Sequence, residues 1–411
     1  MSLISTKTTR EGKPEIKSEG MGTLLDKNGL RYRIPPSLSV TTQRRLITNP
    51  SQSQTYSSKG HVNITLNSGD DYIWGKSSYM SFNLTASAAS TFNSSALDII
   101  KTLTIYHSSG TEIERLENVN LFRRSYDRYA YDQNYHDKKL SVAGYDPAVY
   151  GSNLSTYTEK FIVPLNHMSG LFDTNTLLPP YLMSGMRISI DLASNEEALK
   201  AAAATTYTIS DVDIVLDSVT LADNVVKELN KTSASKGTEL TWKSYEDTQK
   251  PESTQKLHIS AERAVSRSNM AFMVARDLGN VQLQTADSLA PITYPVNQYQ
   301  WRLGSSFFPN KKLDDKASMY KNAMYTFKSD GTVNYSDFKT DGADNSDGIT
   351  TVLLERDDAL DLSGLPVSSS RSLTLDATLD TPPASGYLIN VFMTFEKVMR
   401  LFLYDKVQIL E

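Results

Sequence analysis

The side chains best suited to chemistry in this sequence are five histidines, His61, His107, His136, His167 and His258, and 47 acidic residues. Two histidines hold a metal on a helix when spaced H-x-x-x-H, which sets both on one face; neither that spacing nor H-E-x-x-H occurs. The nucleophile elbow G-x-S-x-G and the phosphate loop G-x-x-x-x-G-K-[ST] are also missing. Cysteine is absent, which removes thiolate ligands, thiol nucleophiles and disulfides together. Two carboxylates at a suitable separation suffice for glycoside hydrolysis, so that chemistry stays open on composition alone. The segment 341–348 (DGADNSDG) resembles a calcium loop. Setting Gly348 at the turn position, however, puts Ala343 at the first ligand position and Leu354 at the twelfth, where oxygen ligands are required. An EF-hand is excluded, and a solvated acidic loop is the simpler reading. The sequence predicts no catalytic residue, no metal, no cofactor and no small-molecule substrate.

Any site needs a scaffold, and 411 residues exceed the roughly 250–300 over which one core keeps growing, so two domains are expected. With 39% hydrophobic and 22% charged residues the composition is that of a globular protein. No run approaches the roughly 18 apolar residues of a membrane span. The first residues, MSLISTKTTREGKPEIKSEG, have no apolar signal core and carry Glu11, Glu15 and Glu19. Synthesis in a cytoplasm is therefore predicted, with the N-x-S/T sequons at Asn63, Asn83, Asn93, Asn153, Asn230 and Asn334 left unused. The net charge of -5 is unevenly spread. Residues 1–45 hold nine basic against four acidic side chains, so the remainder is strongly acidic and would repel a phosphate backbone. Contact with a genome or an anionic surface is thus confined to the first residues, whose basic positions include Lys7, Arg10, Lys13, Lys17, Arg31 and Arg33.

Residues 1–58 are polar, contain Gly12, Gly20, Gly22, Gly29 and Pro35-Pro36, and follow no period; they read as an extended arm. Beyond them period two dominates. Met80, Phe82, Leu84 and Ala86 alternate with polar residues, as do Ile188, Ile190 and Leu192; Val212, Ile214 and Leu216; and Leu373, Leu375, Ala377 and Leu379. Each pattern gives a strand one buried and one wet face. Further strands are predicted at 62–66, 99–107, 161–165, 257–260, 270–274 and 299–303, and two more at 387–395 and 398–404, joined around Glu396-Lys397. Helical signals are few: 113–131, an Ala-rich stretch at 196–204, and Leu221, Val225 and Leu229 at i, i+4, i+8. The aperiodic KTSASKG at 231–237 reads as an interdomain connection. The resulting division is an arm 1–58, a first β domain 59–230, a linker 231–240 and a second β domain 241–411. About eight antiparallel strands per domain predict an all-β protein of two tandem jelly rolls. The Pro179-Pro180 pair should end strand pairing, Gly170, Gly185 and Gly304 are natural positive-φ positions, and Trp301 reads as a core filler.

Three segments carry a family resemblance. FIVPLNHMSGLFDTNTLLPPYLMSGMRISIDL at 161–192, YQWRLGSSFFP at 299–309 and LERDDALDLSGLP at 354–366 resemble, in order, segments of the double jelly-roll major capsid proteins of virophages, polinton-like viruses and the adenovirus-like lineage. The resemblance implies a non-enzymatic virion protein whose homotrimers, with two rolls per chain, form pseudo-hexameric blocks that tile an icosahedral shell. It also implies neighbouring capsomers and minor capsid and vertex proteins as partners. Assembly in the host cytoplasm or nucleus is expected, as is contact of the arm with an internal membrane or the genome. A carbohydrate-binding or carbohydrate-active β-sandwich, or a minor capsid or vertex protein, are the alternative readings.

One connection is crowded with Arg123, Arg124, Tyr126, Arg128, Tyr129, Tyr131 and Tyr135, followed by Tyr145 and Tyr150. Arg and Tyr are enriched at protein interfaces, so these residues are the candidate subunit interface; a loop packed on its own roll is the bland alternative.

Overall fold

Strand parity decides which side chains meet. In Tyr79–Ala86, Met80, Phe82, Leu84 and Ala86 are buried in the core while Tyr79, Asn83 and Thr85 stay partly exposed, as the alternation requires. A computed structural model describes residues 41–144, 158–261, 263–291, 296–328, 331–339, 348–355, 363–380, 382–402 and 406–410, together with a small pairing of Lys7–Thr8 with Pro14–Glu15. Most of the candidate arm residues (Arg10, Lys13, Lys17, Arg31, Arg33), the acidic segment 341–347, Tyr145 and Tyr150 lie outside the described residues.

The first half contributes β1 (Thr41–Pro50), β2 (His61–Thr65), β3 (Tyr79–Ala86), β4 (Ile100–Tyr106), β5 (Glu112–Glu117), β6 (Glu159–Pro164), β7 (Arg187–Leu192) and β8 (Tyr207–Leu221). They form two antiparallel sheets in the orders β6-β3-β8-β1 and β5-β4-β7-β2. The second half contributes β9 (Thr238–Glu252), β10 (Lys256–Ala261), β11 (Val265–Asp277), β12 (Val296–Leu303), β13 (Ser306–Leu313), β14 (Thr350–Leu353), β15 (Leu373–Leu379) and β16 (Tyr387–Phe402). Its sheets run β9-β16-β11-β14 and β10-β15-β12-β13. Adding eight to each strand number of the first half yields the second, so the two halves share one connectivity, that of a jelly roll. The repeat reaches side chains: His61 on β2 faces Asp191 on β7, and His258 on β10 faces Asp376 on β15, each pair in register with Nδ1 to Oδ1 at 2.6 Å.

Helix α1 (Val119–Ala130) follows β5, helix α3 (Lys316–Phe327) follows β13, and α2 (Asp223–Lys236) joins the halves. Several expectations change. Thr41–Pro50 is not part of a free arm; it pairs with β8 along its length. It shows no apolar alternation because neither of its faces meets the core: Gln43 to Leu46 are exposed, Leu46 at 60%, Ile47 is half-buried, and the buried residue is the polar Asn49. The two strands expected around Glu396-Lys397 are one, β16. Asn269 donates to the Glu396 carboxylate at 3.1 Å and Lys397 donates to the Ile113 carbonyl at 3.0 Å, so both charges stay buried inside a continuous strand. The expected helix 113–131 begins as β5 and turns helical only after Asn118, whose φ is 50°. The Ala-rich stretch keeps one helical turn, Asn195–Ala198, before Leu199–Lys200 pairs with Thr91–Phe92. The segment read as linker is the last part of α2. Thr232 and Ser235 donate back to the carbonyls of Glu228 and Lys231, which lets small polar residues continue the helix to Gly237 at φ 77°.

Trp301 is a core residue as expected, 1% exposed and in register with Leu375 on β15 and Phe308 on β13. Trp301→Ala should cost about 3–5 kcal/mol in equilibrium denaturant unfolding. A loss under about 1 kcal/mol would show that this core does not rest on the indole.

Candidate assembly surfaces

Helix α1 leaves the first roll and lies on the sheet of the second. The Phe122 ring stacks on Tyr245 of β9 with centroids 3.8 Å apart and planes 8° apart, and meets Phe272 of β11 at 5.7 Å and Phe392 of β16 at 5.4 Å. One turn on, Tyr126 and Tyr129 pack against Phe327 of α3 at 5.5 and 5.1 Å. Each such pair adds roughly 0.5–1.5 kcal/mol beyond its buried area. Around the rings several polar groups are paired across the seam, while Asp247 Oδ1 and Asn269 Oδ1 are buried without a hydrogen-bond partner among the described residues. The fully buried Glu114 of β5 accepts from Trp242 Nε1 at 2.9 Å and from the Ser169 hydroxyl, and Tyr245 donates to the Glu117 carbonyl at 3.1 Å. The buried Arg124 guanidinium meets Asp287 at 2.5 Å.

Gly170 was expected at a positive φ, but its requirement is space: an added Cβ would sit 1.9 Å from the Lys243 carbonyl oxygen. Gly185 and Gly304 do take positive φ, 81° and 60°.

Burial also shapes the acids. Asp247 of β9 is pushed up to about 6 by desolvation, against which the Asn118 and Asn390 amides donate at 2.5 and 2.8 Å. Burial works in the same direction on Asp127 of α1, but His167 at 3.4 Å, then Arg123, outweigh it and hold that carboxyl below the ordinary range. His136, beside it, is lowered by burial.

The candidate interface residues are thereby placed. Arg123, Arg124 and Tyr129 are buried within the chain: Arg124 meets Asp287 and Tyr129 packs on Phe327 of the second roll, whereas Arg123 bonds Asp127 and the Asn166 carbonyl of the first. Tyr126 is closed in by Phe122 and Phe327. Arg128, Tyr131 and Tyr135 keep partial exposure, with Tyr131 and Tyr135 stacked at 4.4 Å and Tyr135 bonded to His167 at 3.0 Å. Phe122, Glu114, Trp242, Asp247 and Asp287 complete the seam and carried no periodic signal, because their partners come from the other half.

A cavity of about 150 Å³ opens on the seam between Tyr126, Phe327, Asn269, Lys243, Lys328 and Glu355. Its Glu355 carboxylate is engaged by Lys243 at 3.4 Å and by Lys328, which holds it ionised rather than poised for acid chemistry. Among the described residues no three of His, Cys, Asp or Glu converge as a metal site would require.

The two equivalent sheets differ in cover. In β9-β16-β11-β14, β16 is buried on both faces, with the first roll outside it. In β6-β3-β8-β1 the outer face is covered only in part: Val215, Asp217 and Val219 of β8 are buried, with Arg44 and Ser77 on Asp217 and Val225 and Val226 of α2 packed on the cluster that includes Val219, whereas Leu46 and Thr48 of β1 are exposed and Asp213, Tyr79 and Ile162 half-buried.

No protein-family profile matches the chain and no curated protein matches it in sequence. Solved structures do. The capsid protein of a PBCV-1 virus capsid model superposes with TM-score 0.64 at 12% identity, over 90% of this chain and 97% of that one. The Faustovirus major capsid protein gives 0.63 at 7% identity over 93% and 94%. The mavirus major capsid protein gives 0.55 at 10% over 92% and 94%.

Two measurements probe the seam. Gly170→Ala should cost roughly 1–3 kcal/mol by overpacking and lower the melting temperature; an unchanged melting temperature would mean that the contact with Lys243 is loose. Because the Asp247 pKa is raised on folding, its contribution is fully present below its unfolded value near 4 and is lost as pH rises through about 6. Unfolding free energy should fall over that window, and Asp247→Asn should flatten it by on the order of 2 kcal/mol; an unaltered pH profile in the variant would contradict the assignment. At these low identities the likenesses establish the fold, and the chain is a double jelly roll like those of the viral capsid proteins it resembles.

Proposed function

We propose that the chain is the major capsid protein of an icosahedral virus and assembles as homotrimeric, pseudo-hexameric blocks. The observation that carries this reading is the pair of rolls of identical strand order in one chain, similar over nearly its full length to capsid proteins over nearly theirs. The two domains are then the roll of residues 41–221 and the roll from Thr238 onward, with α2 between them. The polar residues before Thr41, including Lys7, Arg10, Lys13, Lys17, Arg31 and Arg33, act as an arm that reaches beneath neighbouring capsomers or toward a membrane or genome. Minor capsid and vertex proteins complete the shell. The protein resides in the virion, is assembled in the host cell, and has no enzymatic role. The charge pattern supports this: an acidic body stays dispersed, and many weak contacts sum only in a lattice.

Native mass spectrometry and electron microscopy of the purified protein test it. Particles of three copies with a hexagonal outline are expected, and removal of residues 1–40 should leave them intact while impairing shells. A chain that stays monomeric at high concentration would contradict the reading.

A further inference from the structure

The cavity on the seam combines features that the packing of the two rolls does not require. Both rolls build it: Phe122, Tyr126 and Tyr131 come from the first, Lys243, Phe327 and Glu355 from the second. Its volume of about 150 Å³ matches that of a cavity which takes up one benzene ring. Aromatic rings supply much of its wall, with Tyr126 stacked on Phe122 at 5.2 Å and meeting Phe327 edge-on at 5.5 Å. Each charge on or beside the wall already has its opposite. Arg123 is paired with Asp127, and Asp173 with Lys76, both at 3.4 Å. Glu355 is held by Lys243 and Lys328, and Lys243 lies in register with Glu396 of β16, whose carboxylate accepts from Asn269 at 3.1 Å. A charged guest would therefore shed its water without gaining an unmatched partner. The tyrosine hydroxyls differ from these charges. Among the described residues neither the Tyr126 nor the Tyr131 hydroxyl is hydrogen-bonded to another protein group. Burial raises both above the ordinary tyrosine value, so they stay protonated and able to donate. A tyrosine hydroxyl set this far into a protein usually finds a partner, and the cavity is the space left for one.

We infer that the cavity binds a neutral molecule of one aromatic ring bearing a carbonyl group. The ring packs among Phe122, Tyr126 and Phe327, and the carbonyl oxygen accepts from the Tyr126 or the Tyr131 hydroxyl. Size sets the single ring, the matched charges set its neutrality, and the two hydroxyl donors set the acceptor. Because the guest touches both rolls, it holds one against the other, and its binding stabilises the folded chain as occupancy rises. The site stands on the walls of the cavity and does not depend on the capsid reading.

Isothermal titration calorimetry and thermal melting of the full chain with benzamide, toluene and benzoate test the inference. Benzamide should raise the melting temperature and bind about tenfold more tightly than toluene, which lacks the acceptor, or benzoate, which brings an unmatched charge. The double variant Y126F/Y131F removes only two hydroxyls that bond no protein group, so its melting temperature without ligand should match the parent. Its affinity for benzamide should fall about tenfold while its affinity for toluene is unchanged. Leu353→Trp fills the cavity from β14 and should abolish the binding of both. Benzamide bound no more tightly than toluene, or equally well by the double variant, would overturn the role of the hydroxyls. Benzoate bound most tightly would overturn the neutral class. A cavity that takes up none of the three at millimolar concentration, and so holds water only, would overturn the site.

Discussion

The structure depends on the ring of Phe122 being held between the two rolls. Each roll closes its own core by strand alternation, and nothing in that closure would hold one roll against the other. The stack on Tyr245, with Phe272 and Phe392 at its edges, supplies the apolar centre of the contact, and Glu114 with Trp242 and Arg124 with Asp287 pair polar groups that the contact buries. Buried charges and hydrogen-bonding groups at such a seam add little net energy, yet each is costly to leave without its partner. They therefore fix one relative placement of the rolls rather than a family of placements.

That fixed placement gives the chain its polarity. A jelly roll leaves edge strands at both ends of each sheet, and exposed edges must be covered or made unattractive. Here the β5 edge and the outer face of the second sheet cover each other, whereas β13 stays exposed and carries Lys311 and Lys312.

Much of this was legible in the sequence where physics is local. Met80, Phe82 and Leu84, or Leu373 and Leu375, announce their strands because one face of each meets a core and the other meets water. Trp301 was placed correctly for the same reason. Where partners are distant the signal fades. β1 shows no alternation because neither of its faces meets the core, and Glu396-Lys397 mimics a turn because Asn269 and the Ile113 carbonyl, which neutralise the pair, lie far away in the chain. The Arg and Tyr residues from Arg123 to Tyr135 read in the sequence as a candidate subunit interface, but residue type does not tell whether the partner is another subunit or the same chain. For Arg124 the partner is Asp287 of the chain's own second roll. The shared strand order of the halves was legible only as eight strands apiece, and the His61–Asp191 and His258–Asp376 pairs that mark the repeat became evident only with register in hand.

The central claim is that the Phe122 seam holds the two rolls of the chain in one placement. A cryo-electron microscopy reconstruction of the purified protein, at a resolution that shows aromatic rings, tests it most directly. The account predicts one relative placement of the rolls, with the Phe122 ring stacked on Tyr245 of β9. Rolls found in two or more placements, or a Phe122 ring open to solvent, would contradict it.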